Sequence, residues 1–269
     1  MLQITSSKNQ IIKEVKNLYK RKDRWKEQLF IIEGIKIIEE ALLNNVGLKY
    51  ILITDKLQST AEGSSFYESI KYNKNLVHIT ENVFKEICDT ENPQGIIAIA
   101  EFQISNLEDL INKDNPAIIF LDGLQDPGNV GTIIRTCDAF NLDGIILGEG
   151  SVDPYNPKVV RATMGSIFRV PLVVSHNSLE TLSKLQENEI KILSTSLEAD
   201  LPIYDIKYRE GFALVIGNES KGVDVQILNI SDQLIKIPMP GSAESLNAGV
   251  AASIIMYEAM KGKLNFLEY

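Results

Sequence analysis

Short apolar runs alternate with amphipathic segments along most of the chain. In the first hundred residues the runs YILIT (50–54), LVHI (76–79) and GIIAIA (95–100) predict buried strands. Apolar residues at helical spacing predict helices over 7–22 and 33–43. Strands that alternate with helices in this way are typical of a small α/β layer domain.

A second and longer alternation follows the polar, proline-ended segment EFQISNLEDLINKDNP. Six strands are predicted there, in chain order: AIIFL, GIILG, VPLVV, IKILS, FALVI and LIKIP. Helices are predicted to begin near Val130, Pro157, Ser178 and Val223, and a last helix is predicted from about Ser245 to Lys261. Continuous apolar strands favour a parallel sheet that is covered on both faces. We therefore predict an α/β fold with two domains, 1–105 and 116–269, joined by a linker over 106–115.

Composition narrows the class of protein. Apolar residues make up 44% of the chain and charged residues 23%, as is usual for a globular protein. The sequence has no apolar run of about 18 residues, so no membrane span is predicted. MLQITSSKNQ lacks the apolar centre of a signal peptide, and the expected location is cytoplasmic. Cys88 and Cys137 suit a reducing compartment, and neither lies near His78 or His176, so no metal site is predicted.

Positive charge is concentrated at the start of an acidic chain. The net charge is −9, yet the first 28 residues contain eight Lys or Arg against three Asp or Glu, which gives that segment +5 and leaves −14 on the remainder. A basic arm on an acidic body is one pattern for docking to a polyanion. A solvated helix face gives the same pattern, and charge alone leaves both interpretations open.

The loop LDGLQDPGNVGTIIRT, residues 121–136, joins a predicted strand end to a predicted helix. A Walker phosphate loop requires Lys and then Ser or Thr after its second glycine, but Asn129 and Val130 follow Gly128. The dinucleotide fingerprint GxGxxG is present only as its second half, Gly128 to Gly131. The absent lysine disfavours a nucleotide-using enzyme, which remains an alternative.

The helix after this loop carries an arginine among apolar residues. Gly131, Arg135 and Asp138 share one stripe of the helix, and an arginine beside a glycine is suited to grip a phosphate or carboxylate. Ordinary structural roles are also open. Asn129 can be the N-cap of a helix that begins at Val130, and Arg135 can form a surface pair with Asp138.

Two further loops repeat the arrangement of a strand end, a small-residue loop and a helix. In FALVIGNESKGV, Gly217 can be a turn glycine and Glu219 can complement a helix dipole. In IKIPMPGSAESLNAGVAA, Ser245 can be the N-cap of the last helix. Because ligands of open α/β sheets bind at the carboxyl ends of strands, the repetition predicts one shared site.

The three loops together resemble the motifs of the SpoU/TrmH family of RNA 2′-O-ribose methyltransferases, in the SPOUT superfamily. The motifs are Asn129-x5-Arg135, Gly217-Asn-Glu219 and Ile237-Pro-Met-x5-Ser245-Leu246-Asn247. RWKEQLFIIEGIKIIEEAL and DTENPQGIIAIA resemble the family's small N-terminal α/β substrate-binding domain. The resemblance therefore covers the whole chain.

The resemblance implies a trefoil-knotted, parallel-sheet SPOUT methyltransferase domain, S-adenosylmethionine as cofactor, a homodimer, and an RNA substrate for which ribosomal RNA is favoured. The catalytic residues that it implies are Asn129, Arg135, Glu219, Ser245 and Asn247. The cofactor-binding residues that it implies are Thr195, Gly217, Ile237, Met239 and Leu246. No metal is required, and the basic arm with the first domain is expected to supply most of the RNA affinity. A tRNA methyltransferase and a non-catalytic RNA-binding or ribosome-assembly protein on this fold remain alternatives.

Overall fold

The computed structural model describes residues 2–267, with side chains up to Lys263. Its strands are β1 Leu2–Ile4, β2 Leu29–Glu33, β3 Leu48–Ile53, β4 Leu76–Ile79, β5 Ile96–Glu101, β6 Ala117–Asp122, β7 Gly144–Leu147, β8 Leu172–Val174, β9 Lys191–Thr195, β10 Leu201–Pro202, β11 Phe212–Gly217 and β12 Gln233–Lys236. Its α-helices are α1 Gln10–Asn17, α2 Arg21–Glu27, α3 Ile35–Leu43, α4 Ala61–Ile70, α5 Glu81–Lys85, α6 Glu108–Ile111, α7 Pro127–Ala139, α8 Pro157–Thr163, α9 Ser178–Glu187, α10 Val225–Ile230 and α11 Ala248–Leu267. Short 3₁₀ helices lie at Asp55–Ser59, Ser166–Phe168 and Ile203–Asp205.

The chain divides into two compact units, Met1–Phe102 with Tyr155–Phe168, and Gln103–Pro154 with Arg169–Tyr269. The return of the chain to the first unit at Tyr155 rests on aromatic packing. Tyr155 is fully buried, and its ring stacks on that of Phe102 with 3.8 Å between centroids. Phe30 lies 4.6 Å from the same Tyr155 ring, so strand β2 contributes to this packing.

The first unit contains a mixed sheet of five strands in the order β1-β4-β3-β5-β2. Strands β1, β4 and β3 run parallel, whereas β5 is antiparallel to both β3 and β2. The predicted strands at 50–54, 76–79 and 95–100 correspond to β3, β4 and β5. The apolar sides of α1, β1, β2, β4 and α5 meet in one buried cluster.

The single helix predicted over 7–22 is wrong in extent, because α1 and α2 are separate helices. Arg24 is only 2% exposed, and its Nη1 donates to the carbonyl oxygens of Leu18 at 2.8 Å and Tyr19 at 2.9 Å. A buried guanidinium thus satisfies carbonyl groups at the turn between the two helices, which allows the backbone to break there.

The second unit is a sheet of seven strands in the order β10-β12-β9-β11-β6-β7-β8. Every neighbouring pair is parallel, which confirms the predicted parallel sheet. The carboxyl ends of β6, β9, β11 and β12 therefore lie along one edge of this sheet. The trefoil knot that the resemblance implies remains a prediction.

The segment predicted as a linker contains helix α6 and packs within the second unit. Leu110 is fully buried against the apolar cluster of β6, β9 and β11. The backbone N–H of Ser105 donates to the carbonyl of Leu172 at 2.9 Å. Among the described residues no helix is long and apolar enough to cross a membrane, and no group of acidic, His or Cys side chains is arranged to hold a metal ion.

Candidate active site

Helix α7 begins at Pro127, three residues before the predicted start. Asp126 is its N-cap, and its Oδ1 accepts the backbone N–H of Asn129 at 2.9 Å. The interpretation of Asn129 as the N-cap is therefore wrong. Asn129 lies inside the first turn and is only 6% exposed, so its side chain is free to make another contact within the protein.

The side chain of Asn129 contacts the second motif. Its Nδ2 donates to Oε1 of Glu219 at 3.0 Å, and the same oxygen accepts the backbone N–H of Asp126 at 3.0 Å. Oε2 of Glu219 accepts the N–H of Gln125 at 3.3 Å. The carboxylate thus lies over the N-terminus of α7, where the helix dipole favours negative charge. Glu219 itself lies in the turn that precedes α10, so the helix dipole that it complements is that of α7.

These hydrogen bonds determine the protonation state of Glu219. Burial raises the pKa of this carboxyl group, but the hydrogen bonds from Asn129 and from backbone N–H groups outweigh it and hold the pKa below its usual range. Glu219 is therefore ionised at neutral pH. A carboxylate with a lowered pKa is a poor proton acceptor. Glu219 is therefore better suited to positioning Asn129 than to general-base catalysis.

The turn that carries Glu219 is closed and attached to the loop before α7. Backbone hydrogen bonds join Asn218 and Gly222 in both directions, at 3.0 and 2.9 Å. Oδ1 of Asn218 accepts the N–H groups of Ser220 and Lys221, and its Nδ2 donates to the carbonyl of Gly123 at 2.8 Å. Asn218 therefore fixes the shape of the turn and also its position.

Gly217 is required by a close backbone approach. A Cβ at this position would lie 2.2 Å from the carbonyl carbon of Gly222, a distance that no side chain can occupy. Gly217 is therefore more than a turn glycine. It ends the buried strand β11, and the turn that follows folds back onto it and leaves no space for a side chain.

The third motif reaches the same place through the start of α11. The helix begins at Ala248, and Asn247 Oδ1 accepts the N–H of Val250 at 3.2 Å, so the interpretation of Ser245 as its N-cap is wrong. A Cβ at Gly249 would lie 3.3 Å from Oδ1 of both Asn129 and Asn247. Three predicted site residues, Asn129, Glu219 and Asn247, therefore converge.

Arg135 lies apart from this cluster. Arg135 is exposed on α7 six residues beyond Asn129, which places it about 9 Å further along the helix and on another face. The suggested surface pair with Asp138 is wrong, since Asp138 instead binds Arg169, with Nη2–Oδ2 at 2.8 Å. Within residues 2–263 no ion pair engages Arg135. Ser245 is exposed in the loop that precedes α11.

The predicted cofactor residues follow the carboxyl ends of three adjacent strands. Ile235 on β12 is paired with Thr195 on β9, and the Thr195 hydroxyl donates to the carbonyl of Val215 on β11 at 3.0 Å. Ile237 and Met239 are half-buried and Leu246 is 38% exposed, so apolar side chains face this edge without full burial.

Comparisons with known proteins identify the family. Residues 116–257 match the model of the SpoU rRNA Methylase family, and residues 9–98 match the MRM3-like substrate binding domain. The chain belongs to the SpoU rRNA methylase family. This membership confirms the prediction of an S-adenosylmethionine-dependent RNA 2′-O-methyltransferase on a SPOUT-type fold.

Individual relatives match nearly the whole chain. The sequence is 36% identical to the 23S rRNA (guanosine(2553)-2′-O)-methyltransferase RlmP of Bacillus subtilis, over 96% of this chain and 98% of that protein. The AdoMet-bound rRNA methyltransferase of Sinorhizobium meliloti superposes with a TM-score of 0.83 at 31% identity, covering 96% of this chain and 97% of the other. The A. aeolicus TrmH/SpoU tRNA modifying enzyme superposes with a TM-score of 0.50 at 28% identity, covering 60% and 82%.

The residues at the strand ends fit the cofactor that this SpoU methylase family uses. Partly exposed Ile237, Met239 and Leu246 suit the apolar face of an adenosine. S-adenosylmethionine, when bound, supplies an activated methyl group.

Sequence reasoning missed three residues that hold this site together. Asp126 caps α7, Asn218 shapes the Glu219 turn, and Gly249 allows α11 to approach Asn129. The first had a readable signal, because Asp followed by Pro is typical of a helix N-cap and first position. The hydrogen bonds from the Asn218 side chain to the backbone of its own turn are of a kind that asparagine favours. Gly249 had no local signal, since its neighbour Asn129 is distant in sequence.

Proposed function

We propose that this protein methylates a ribose 2′-hydroxyl of 23S ribosomal RNA. The observation that carries the choice of RNA is coverage: the ribosomal RNA enzymes match both units, at 96% of this chain, whereas the tRNA modifying enzyme matches 60%. The match of residues 9–98 to a substrate-binding domain also supports an RNA substrate. Methylation of ribosomal RNA is consistent with a cytoplasmic location.

The Asn129–Glu219 pair is proposed to set the geometry of the reaction. The Glu219 carboxylate fixes the amide of Asn129, which in turn lies against the start of α11 at Gly249. Asn247 caps α11, and Ser245 lies in the loop before it, so both are proposed to order that loop against cofactor and substrate. Alignment of the methyl group with the hydroxyl is the main demand of this reaction.

Arg135 is proposed to bind a phosphate of the RNA. A normal arginine is too basic to give up its proton at neutral pH and so cannot serve as the base, but its planar guanidinium holds a phosphate through two hydrogen bonds. That phosphate then helps to accept the proton of the 2′-hydroxyl. The exposure of Arg135 and its lack of an ion-pair partner within residues 2–263 support this role.

The working form is proposed to be a homodimer that uses α11. Val250, Ile254 and Tyr257 are 48%, 37% and 47% exposed and follow one another at helical spacing. Such an apolar stripe on a helix is typical of an interface. Sedimentation of the purified chain should therefore give twice the monomer mass, and Ile254→Lys should shift it towards the monomer.

The proposed activity is tested by methyl transfer from labelled S-adenosylmethionine to separate unmodified transcripts of 23S rRNA, 16S rRNA and tRNA. Label is expected in 23S rRNA, as 2′-O-methylribose after digestion. Arg135→Ala should abolish the label and retain cofactor binding, whereas Arg135→Lys should retain part of the activity. Label in tRNA alone would contradict the choice of RNA, and loss of cofactor binding in Arg135→Ala would contradict its role.

A further inference from the structure

The first unit has a cationic cavity far in sequence from the catalytic motifs. It measures about 420 Å³ and lies where α4 turns into β4, beside the start of β3. Ten residues line it, none of them acidic, and they include Lys49, Lys71, Tyr72, Asn73, Lys74 and Asn75. Lys49 and Lys71 form ion pairs with Glu14 and Glu68, so Lys74 is the lining cation that remains available to an anionic ligand.

The other large cavity shows that this composition is distinctive. It measures about 640 Å³ in the second unit, and its lining includes Asp114, Glu189, Glu210 and Asp232 with two lysines. Excess negative charge there opposes a polyanion. The cavity between α4 and β4, which we name the Tyr72 cavity, is the one of the two whose charge suits nucleic acid.

Tyr72 presents an aromatic surface to solvent. It is 89% exposed, and the Lys71 ammonium lies 5.2 Å from its ring centroid, which leaves the opposite ring face open. An exposed aromatic ring beside lysines is the arrangement that binds unpaired nucleotides, because a base stacks on the ring while cations contact the backbone. Double-stranded RNA keeps its bases stacked and offers none to such a ring.

The cavity is rigid where it needs to hold a ligand. Asn73 Oδ1 accepts the N–H of Asn75 at 2.9 Å, and Asn75 Nδ2 donates to the carbonyl of Leu48 at 2.6 Å. The turn after α4 is thus tied to β3. Lys74 is exposed and makes no ion pair in the described part of the chain, so its charge is available to a phosphate.

We propose that the Tyr72 cavity binds an unpaired nucleotide of the RNA substrate, with its base stacked on Tyr72 and a phosphate on Lys74. The proposal rests on the RNA methyltransferase function and names a contact outside the catalytic site. Tyr72 would act by holding the substrate, so its loss should raise KM for RNA and leave kcat nearly unchanged.

Fluorescence anisotropy of the full-length protein tests the proposal with a labelled single-stranded RNA 12-mer and a duplex of the same sequence. Tyr72→Ala should weaken single-strand binding about fivefold or more and leave duplex binding unchanged, since stacking contributes at least that much per base. Tyr72→Phe should bind as the wild type does. Lys74→Ala should lower the slope of log K against log salt by about 0.7.

Matched controls are Tyr204→Ala and Lys207→Ala, which remove an exposed tyrosine and an exposed lysine from the second unit. Wild-type affinity in Tyr72→Ala, equal loss in Tyr72→Phe, or equal weakening of the duplex would each overturn the proposal. Methyl transfer separates the two levels. If the wild-type enzyme transfers no labelled methyl group to RNA, the proposed methyltransferase function is refuted. If it does, and Tyr72→Ala leaves KM for RNA unchanged, only the proposed role of the Tyr72 cavity is refuted.

Discussion

The amide of Asn129 donates to the carboxylate of Glu219 across 3.0 Å, although the two residues are 90 positions apart in the sequence. This bond joins the first motif to the second and fixes an ionised carboxylate at the N-terminus of α7. The predicted site is thus held by hydrogen bonds between two loops at the edge of the sheet.

Removal of the Asn129 amide should lower the catalytic rate before it affects the fold. Asn129→Ala is expected to lower kcat about tenfold, because a hydrogen bond to a charged group contributes about 1.5 kcal/mol. Cofactor affinity should remain near the wild-type value. Single-turnover methyl transfer and calorimetric cofactor binding measure the two quantities. Asn188→Ala, which removes an exposed amide at the end of α9, is the control and should leave both unchanged.

The pH dependence of stability should report the same carboxylate. Because the pKa of Glu219 lies below its ordinary value of 4.5 in the folded protein, the ionised group stabilises the fold at neutral pH. That contribution is lost as the pH falls through the folded pKa. The difference in unfolding free energy between wild type and Glu219→Gln should therefore be largest at neutral pH and shrink below the ordinary value.

Urea unfolding at several pH values between about 7 and 3.5 measures this difference. Glu187→Gln, at an exposed position on α9, is the matched control. A difference that stays constant with pH, or that grows in acid, would show that the carboxylate of Glu219 does not stabilise the folded state through its charge.

Gly217 gives the sharpest steric prediction. Gly217→Ala places a methyl group 2.2 Å from the Gly222 backbone, so the Glu219 turn must move. We expect the free energy of unfolding to fall by about 1–3 kcal/mol, with loss of methyl transfer. Gly241→Ala is the control, since a Cβ there meets nothing within 4 Å. Equal stability of the two variants in urea unfolding would contradict the close packing of this turn.

The sequence predicted elements whose signal is local. Continuous apolar runs marked β6, β7, β9 and β11, and the parallel sheet followed from them. The break between α1 and α2 was missed because it depends on the buried Arg24 side chain, which periodicity does not register. The return of Tyr155–Phe168 to the first unit was also missed, since the stacking of Tyr155 on Phe102 joins distant positions.

The site shows the same division between local and distant signals. The motifs placed Asn129, Glu219 and Asn247 in one region, and the structure brings their side chains together. The cap roles considered for Asn129 and Ser245 were wrong, because the caps of α7 and α11 are Asp126 and Asn247. Cap residues are decided by where the chain enters a helix, and that depends on the turn before it.

Fewer cations of the basic arm are available to RNA in the folded protein than the sequence suggests. Lys16 binds Glu86 at 2.6 Å, Lys26 binds Glu27 at 2.9 Å, and Arg24 is buried. The exposed cations of this segment without an ion pair among the described residues are Lys8, Lys13, Lys20, Arg21 and Lys22. Deletion of 1–28 would also remove Ile12, Val15 and Leu18 from the core, so substitution is the cleaner test.

Neutralising the start of α2 should therefore weaken RNA binding through charge alone. The combined change Lys20→Ala, Arg21→Ala and Lys22→Ala is expected to lower the slope of log K against log salt by about 2, because each phosphate contact contributes about 0.7–0.9. Thermal unfolding should be nearly unchanged, since all three side chains are exposed. The charge-conserving change Lys20→Arg, Arg21→Lys and Lys22→Arg should bind as the wild type does. An unchanged slope in the alanine variant would mean that these cations only form a solvated helix face, and that other residues of the protein hold the RNA.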